Sequence, residues 1–269
     1  MTYENPRIPE GINSGRNRPL RDLAVLGGGI LGLLLALVAL LLLLGQMFGP
    51  MVPFAWERAL APVVGQPGGD DKSQDAARLR ALGDRVAAAM DLPDGMTVTV
   101  VLADLPMANA FATLGGQIFV SRRLVEAMPD ENALAFVLGH EIGHVRHRDV
   151  MRSMTSTMLL SVLEAVVTGG DGGIADLAVG GGGMLGSLHF SRGREAAADA
   201  AATAALVVLY GHAGGYRQAL ETLRRETNDA AEPPAILASH PDIAARIAAL
   251  DALANDRDWP PDGDRRSLP

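Results

Sequence analysis

The sequence predicts an α+β protein that is mostly helical, with a small antiparallel sheet or hairpin and a single transmembrane helix ahead of the folded domain. Three observations lead to this prediction. An uncharged apolar run lies near the N-terminus, a β-branched stretch and a glycine-centred hairpin follow, and the second half repeats apolar residues at helical spacing. No segment repeats with a period of about 20 to 50 residues, so one main domain accounts for the remainder.

The composition excludes several classes of protein and of binding site. Of the 269 residues, 48% are hydrophobic, and the formal net charge is -8, which argues against a nucleic-acid partner. The chain contains no cysteine, so disulfides and thiolate metal sites are excluded. Any metal ion in this protein must therefore be bound by nitrogen and oxygen atoms.

The N-terminal part predicts a cytoplasmic tail over 1–22 and a transmembrane anchor over 23–49. No side chain from Leu23 to Trp56 is charged, and a helix of about 20 apolar residues crosses the hydrocarbon layer. Four arginines precede this run, namely Arg7, Arg16, Arg18 and Arg21. By the positive-inside rule the N-terminus is cytoplasmic, and the rest of this single-pass chain lies outside the cell membrane, in the periplasm of a Gram-negative cell.

A cleaved signal peptide is the competing interpretation of the apolar run. The apolar region of a signal peptide is usually only about 7 to 15 residues long. The small-residue site Ala59-Leu60-Ala61 lies far from the run and is followed by Pro62. The length of the run therefore favours an uncleaved anchor.

Residues 50–72 are predicted as a linker and residues 73–253 as the folded domain. The first elements expected in the domain are a helix over 73–90, a strand over 97–103, hairpin strands over 110–114 and 117–121, and a helix over 122–128. Gly115-Gly116 predicts a two-residue hairpin turn, since both positions can take positive φ.

The second half of the domain predicts helices only. Asp130 can cap the first of them, and later helices are expected over 150–167, 191–210, 216–225 and 241–253. The helix over 150–167 is no second span, because charged residues leave only a short uncharged run. The glycine-rich stretch 169–186 is either a plain flexible loop or a mobile cover over a site. Residues 254–269 are predicted as a flexible C-terminal tail.

The stretch Leu138–His144, with the sequence LGHEIGH, predicts a metal site. Residues four apart share one face of a helix, so His140 and His144 can hold one ion, and Glu141 lies beside them. This is the H-E-x-x-H pattern of zinc peptidases, in which the histidines bind the metal and the glutamate is the general base. The alternative is a helix with two ordinary histidines, because short motifs also occur by chance.

A third ligand is available in the stretch Ser191–Asp199, with the sequence SRGREAAAD. A catalytic zinc usually takes three protein ligands and leaves one position for water. Glu195 and Asp199 are the only carboxylates of an alanine-rich helix and share one face. If Glu195 binds the ion, Asp199 can accept a histidine ring N–H. A surface helix with both carboxylates in water is the alternative.

With these motifs, residues 73–252 resemble the membrane-associated zinc metallopeptidases that include the CaaX prenyl proteases and the HtpX-like proteases. The matching blocks are Asn109-Ala110-Phe111 with the sequence GGQIFV at 115–120, His140-Glu141-x-x-His144, the sequence SRxxExxAD at 191–199, and His240-Pro241 followed by Arg246-Ile247. One departure is Thr113-Leu114, where the family often has a Leu-Pro pair, and it affects the expected shape of the hairpin.

The resemblance implies a zincin-like metallopeptidase domain with Zn2+ held by His140, His144 and Glu195. It implies that Asp199 supports the site and that Arg246 braces it through a carboxylate. It implies that His240 comes near the metal, where the residue either stabilises an oxyanion or fills the open coordination position; a helix-capping role is the alternative. The implied substrate-binding residues are Asn109, Ala110, Phe111 and Ala112.

The function expected from the sequence is that of a membrane-anchored zinc metalloendopeptidase. Its substrates would be polypeptides, such as misfolded or envelope proteins, and Glu141 and His240 would be its catalytic residues. The alternative is a catalytically silent, metal-stabilised chaperone or binding module tethered to the membrane. Prenyl-protein processing is disfavoured, because one predicted span cannot build a chamber within the membrane. The oligomeric state is left open.

Overall fold

The computed structural model of this chain describes residues 18–63, 68–70, 72–169, 190–228 and 242–268. Three features predicted above lie outside them: the tail before Arg18, all but the first residue of the stretch 169–186, and His240. Internal contacts divide the chain after Leu41 into an N-terminal unit and a larger unit, Leu42–Pro269.

Helix α1, Pro19–Phe48, has 30 residues and a length of about 45 Å. Within the described residues it begins the only segment that is long and apolar enough to cross a membrane. Its leucines are exposed along most of its length, as expected of side chains that meet lipid. The apolar helix predicted at 23–49 is therefore present, and it starts one turn earlier than predicted.

The larger unit contains every helix predicted between residues 73 and 253. Its helices are α2 (Phe54–Leu60), α3 (Gln74–Ala89), α4 (Arg122–Ala127), α5 (Glu131–Arg146), α6 (Asp149–Thr168), α7 (Arg192–Tyr210), α8 (Tyr216–Asn228) and α9 (Ile243–Asp256). Its strands are β1 (Gly69–Asp70), β2 (Thr99–Ala103), β3 (Ala110–Ala112) and β4 (Gln117–Ser121). The mostly helical α+β class is confirmed.

The sheet is mixed, in the order β1-β2-β4-β3. The predicted antiparallel hairpin is present, with Ala110 of β3 opposite Val120 of β4. The neighbouring pair of β2 and β4 is parallel, with Thr99 opposite Gln117. The sequence did not predict the parallel pair. The apolar pattern of a strand indicates how deeply the strand is buried, but it does not indicate which strand lies beside it.

The hairpin turn is longer than the two residues predicted. Strand β3 ends at Ala112, and a short 3-10 turn over Leu114–Gly116 precedes β4. Gly115 and Gly116 take positive φ, as predicted. The turn is extended because the Leu114 side chain is buried in the core, which pulls the chain inward before the glycines reverse it.

Helix α5 is the centre of the domain and is buried from Glu131 to Val145. The Asp130 side chain accepts the Ala133 N–H at 2.7 Å, which confirms the predicted cap. On one side α5 lies against the sheet, and on another it packs closely against α7. A Cβ at Gly143 would lie 3.0 Å from the Ala198 Cα, so only glycine allows this spacing.

Two segments predicted as linker and tail are packed against the domain where the structure describes them. Within 50–72, Glu57 of α2 is 3% exposed. At the C-terminus the Arg266 carbonyl accepts the Glu131 N–H at 2.8 Å, and the Pro260 carbonyl accepts the Ala213 N–H at 2.8 Å. The C-terminal residues that were predicted as a flexible tail thus bond to the domain at these two positions. The Arg266 carbonyl satisfies one of the N–H groups that are unpaired at the start of α5, and apolar periodicity gives no sign of such a contact.

We expect Gly143→Val to lower the free energy of unfolding by about 1 to 3 kcal/mol, because the added side chain pushes α5 away from α7. Denaturant unfolding of the detergent-solubilised chain measures this change. Gly193→Ala on α7 is the matched control, since a Cβ there meets no atom within 4 Å. An unfolding midpoint for Gly143→Val at or above that of the wild type would contradict the close approach of the two helices.

Candidate metal centre

The structure brings His140 and His144 of α5 together with Glu195 of α7. The two Nε2 atoms lie 3.1 Å apart, and each lies 3.5 Å from a Glu195 carboxylate oxygen. All three residues are buried, and one ligand atom from each lies within 4.8 Å of the others. This is the set of three residues that the sequence predicted as metal ligands.

Carboxylates fix the orientation of both imidazole rings. His140 Nδ1 lies 2.8 Å from Asp199 Oδ1, and His144 Nδ1 lies 2.9 Å from Asp149 Oδ2. An ionised carboxylate only accepts hydrogen bonds, so each Nδ1 carries the proton and each Nε2 turns its lone pair toward Glu195. Burial, followed by the positive charge of Arg246, lowers the pKa of His140 to about 3, which keeps this ring neutral.

Arg246 of α9 holds Asp199 in place. Its Nε donates to Asp199 Oδ2 at 2.8 Å, and its Nη2 donates to Oδ1 at 2.6 Å. Burial acts to raise the pKa of Asp199, but hydrogen bonds from Arg246 and His140 outweigh it and keep that pKa below its usual range. Arg246 thus contacts the carboxylate that orients His140, and its bracing role stays a prediction.

Glu141 lies between the metal-binding residues and the sheet. Its Oε2 accepts the Ala112 N–H of β3 at 3.0 Å. Burial raises the pKa of Glu141 to about 7. A carboxylate with such a pKa exchanges a proton readily near neutral pH.

The predicted substrate residues are those of the edge strand β3 and Asn109, the residue just before it. Ala110 and Ala112 belong to the main core, which includes α5. The Phe111 ring stacks on Phe119 at 5.7 Å, in a separate cluster on the other face of the sheet. The Asn109 N–H donates to Ser121 Oγ at 2.9 Å. Ala112 thus lies beside Glu141, whereas the Phe111 side chain points away from the metal-binding residues.

Asp149, Arg194 and Phe190 also build the site, and sequence reasoning missed all three. Arg194 Nε lies 3.3 Å from Asp149 Oδ1 and so supports the carboxylate that orients His144. The Phe190 ring stacks on His144 with ring centroids 4.2 Å apart. A carboxylate five residues after His144, at the start of the next helix, was the available signal for Asp149.

The residues present fit a divalent transition metal. Two neutral imidazoles and a carboxylate are a usual ligand set for such an ion. Two atoms bound to one ion at about 2.0 to 2.1 Å in tetrahedral geometry lie about 3.4 Å apart. The separations of 3.1 and 3.5 Å agree with that value.

Comparison with known proteins identifies the family. The profile described as Peptidase family M48 matches residues 73–254, which include every metal-centre residue named above. The chain belongs to peptidase family M48. The resemblance to membrane-associated zinc metallopeptidases is thereby confirmed.

Relatives of this M48 protein are similar over part of its length. A beta-barrel assembly-enhancing protease of Escherichia coli is 30% identical over 161 residues, covering 55% of this chain and 32% of the relative. A protease HtpX homolog of Aeropyrum pernix is 34% identical over 126 residues, covering 38% of this chain and 39% of the relative. The M48 chain therefore spans between about a third and two fifths of these relatives.

We expect Asp149→Asn to weaken metal binding about 10- to 100-fold, because an amide no longer fixes the His144 ring as a carboxylate does. Competition against a chelator of known affinity measures this loss. The control is Asp251→Asn on α9, which changes a carboxylate bonded to Tyr216 and Arg217. Equal metal affinity in the two variants would show that Asp149 does not orient His144.

Proposed function

We propose that this protein is a membrane-anchored zinc metalloendopeptidase. The observation that carries the proposal is the convergence of His140, His144 and Glu195. Glu141 lies on α5 beside the two histidines. A set of three nitrogen and oxygen ligands is typical of catalytic zinc, whereas structural zinc usually takes four. Membership of a peptidase family gives the class of reaction, which is peptide-bond hydrolysis.

The chain's own residues supply the proton transfers and the positioning. When bound, zinc would polarise the scissile carbonyl and make a water molecule more acidic. Glu141 takes the proton from that water and passes it to the departing amine, as a general base and then a general acid. Asp199 and Asp149 hold the two imidazoles so that their Nε2 atoms keep one orientation throughout.

Strand β3 is the proposed binding strand for an extended polypeptide. In the hairpin, Ser121 and Gln117 pair with Asn109 and Thr113. The alternation of an antiparallel ladder then turns the backbone groups of Ala110 and Ala112 away from β4. A substrate strand added at this edge would run past Glu141, with main-chain hydrogen bonds giving affinity.

Helix α1 is the proposed single membrane anchor, with its N-terminus in the cytoplasm and the peptidase domain outside. The support is its length and composition together with the four arginines before it or in its first turn. Polypeptide substrates would then be misfolded or envelope proteins on the outer side of the membrane. His240 remains proposed as a residue near the metal.

We expect Glu141→Gln to keep its metal and lose casein cleavage by about 100- to 10,000-fold, because the general base is removed. His140→Ala should instead lose the metal. Elemental analysis and release of labelled casein fragments measure the two properties. Glu126→Gln, an exposed glutamate on α4, is the control and should behave as wild type. Undiminished cleavage by Glu141→Gln would refute the role of Glu141 as general base, whereas a wild-type protein that binds metal and cleaves no casein would favour a non-catalytic binding module.

The proposed orientation is testable because the chain has no cysteine of its own. We expect Glu126→Cys to react with a membrane-impermeant maleimide in intact cells, or in spheroplasts of a Gram-negative host, because α4 belongs to the exported domain. Thr2→Cys, before the anchor, should react only after the membrane is opened. The reverse labelling pattern would place the peptidase domain in the cytoplasm.

A further inference from the structure

Helix α2 contacts the turn that connects the proposed substrate strand to β4. The Glu57 carboxylate accepts the Gly115 N–H at 3.2 Å through Oε1. A Cβ at Gly115 would lie 3.0 Å from the Arg58 Cα, and one at Gly116 would lie 3.0 Å from the Phe54 ring. Helix α2 and the turn Leu114–Gly116 are therefore packed backbone against backbone, with little room for movement.

The same carboxylate pairs with an arginine at the end of the metal-binding helix. Glu57 Oε2 lies 2.7 Å from Nη2 of Arg148, the residue before Asp149. Arg148 has a left-handed backbone with φ of 60°, and its Nη2 also donates to the Val52 carbonyl at 2.7 Å. Its guanidinium lies 5.5 Å from the centroid of the Phe54 ring. One ion pair thus connects α2, the end of α5 and the turn after β3.

Glu57 is buried and Arg148 is only slightly exposed, and an ion pair in such surroundings is a weak way to stabilise a fold. Taking charges out of water is costly, and well-packed apolar residues often stabilise a fold as well or better. Burial raises the pKa of Glu57, and the charge of Arg148 acts against that shift. The Glu57 carboxylate pairs with Arg148 and also accepts the Gly115 N–H. Because hydrogen bonds are directional, this arrangement fixes the orientation of the Gly115 backbone, which apolar packing would not do.

We propose that Glu57 is a positioning residue for substrate, which together with Arg148 fixes the turn Leu114–Gly116 and so sets strand β3 against the metal-binding helix. This inference rests on the proposed function of β3. Helix α2 then supports the proposed substrate strand through the turn Leu114–Gly116 and is more than a connection between anchor and domain. The pair acts through β3 and does not touch the reacting atoms.

The test uses the full chain in detergent and measures both cleavage and binding of a fluorescein-labelled casein peptide. We expect Glu57→Gln to raise KM about tenfold with kcat and metal content nearly unchanged, since the strand holds substrate equally before and during reaction. In the Glu141→Gln background, the same change should raise the peptide Kd by a similar factor. This second measurement requires no catalysis.

Two further variants separate positioning from stability. The double variant Glu57→Leu with Arg148→Met removes both buried charges, so stability should return toward wild type while KM stays raised. Glu131→Gln breaks the ion pair between buried Glu131 and the partly exposed Arg85, about two and a half turns before His140. It should lower stability and leave KM unchanged.

The possible results separate a failure of the positioning role from a failure of the proposed function. A KM and a Kd for Glu57→Gln within twofold of their reference values would overturn the positioning role, as would recovery of both in the double variant. A wild-type protein that binds the peptide but fails to cleave it, while Glu57→Gln weakens binding, would refute the proposed function alone. A chain that neither cleaves nor binds the peptide would refute both proposals.

Discussion

The close approach of α5 and α7 is the constraint on which the metal centre depends. Gly139 and Gly143 lie one turn apart on α5 and face Ala202 and Ala198 of α7. Because these four residues have small side chains or none, the two helix backbones come nearly into contact. Glu195 precedes Ala198 by three residues, so its carboxylate reaches the imidazoles without extending across a gap. Larger residues in this seam would leave the same three side chains too far apart to share an ion.

Charge balance is the second requirement, because this seam buries several ionisable groups together. Asp199 and Asp149 each accept from one imidazole, and each is also paired with an arginine, Arg246 or Arg194. Buried carboxylates need such partners, since an unpaired buried charge is very costly. With both aspartates compensated in this way, Glu195 and the two Nε2 atoms can bind a cation. The centre therefore depends on Arg246 and Arg194, which balance the charges of the two aspartates, as well as on the metal-binding side chains.

The sequence predicted what depends on local spacing and missed what depends on chain reversals. His140 and His144 were predicted from the four-residue spacing of the H-E-x-x-H motif, and Glu195 from a second motif and the resemblance that it supports. Asp149 was missed because Arg148 interrupts the helix in a left-handed conformation, after which four-residue spacing no longer relates the side chains. Two further features were missed for a related reason. One is the parallel pairing of β2 with β4, and the other is the contact of residues 260–266 with the start of α5 and with the loop after α7. Both depend on backbone groups, which all sequences share.

The connection between anchor and domain also differs from a loose tether. Helix α6 packs against the last turn of α1, where a Cβ at Gly45 would meet Ser156, and Arg152 donates to the Gln46 carbonyl at 3.1 Å. Five residues separate Phe48 from Phe54, and even fully extended they span only about 20 Å. Along that path Arg148, at the end of the metal-binding helix, already bonds to Val52. The end of the apolar helix is thus fixed near α5, the helix that carries His140 and His144.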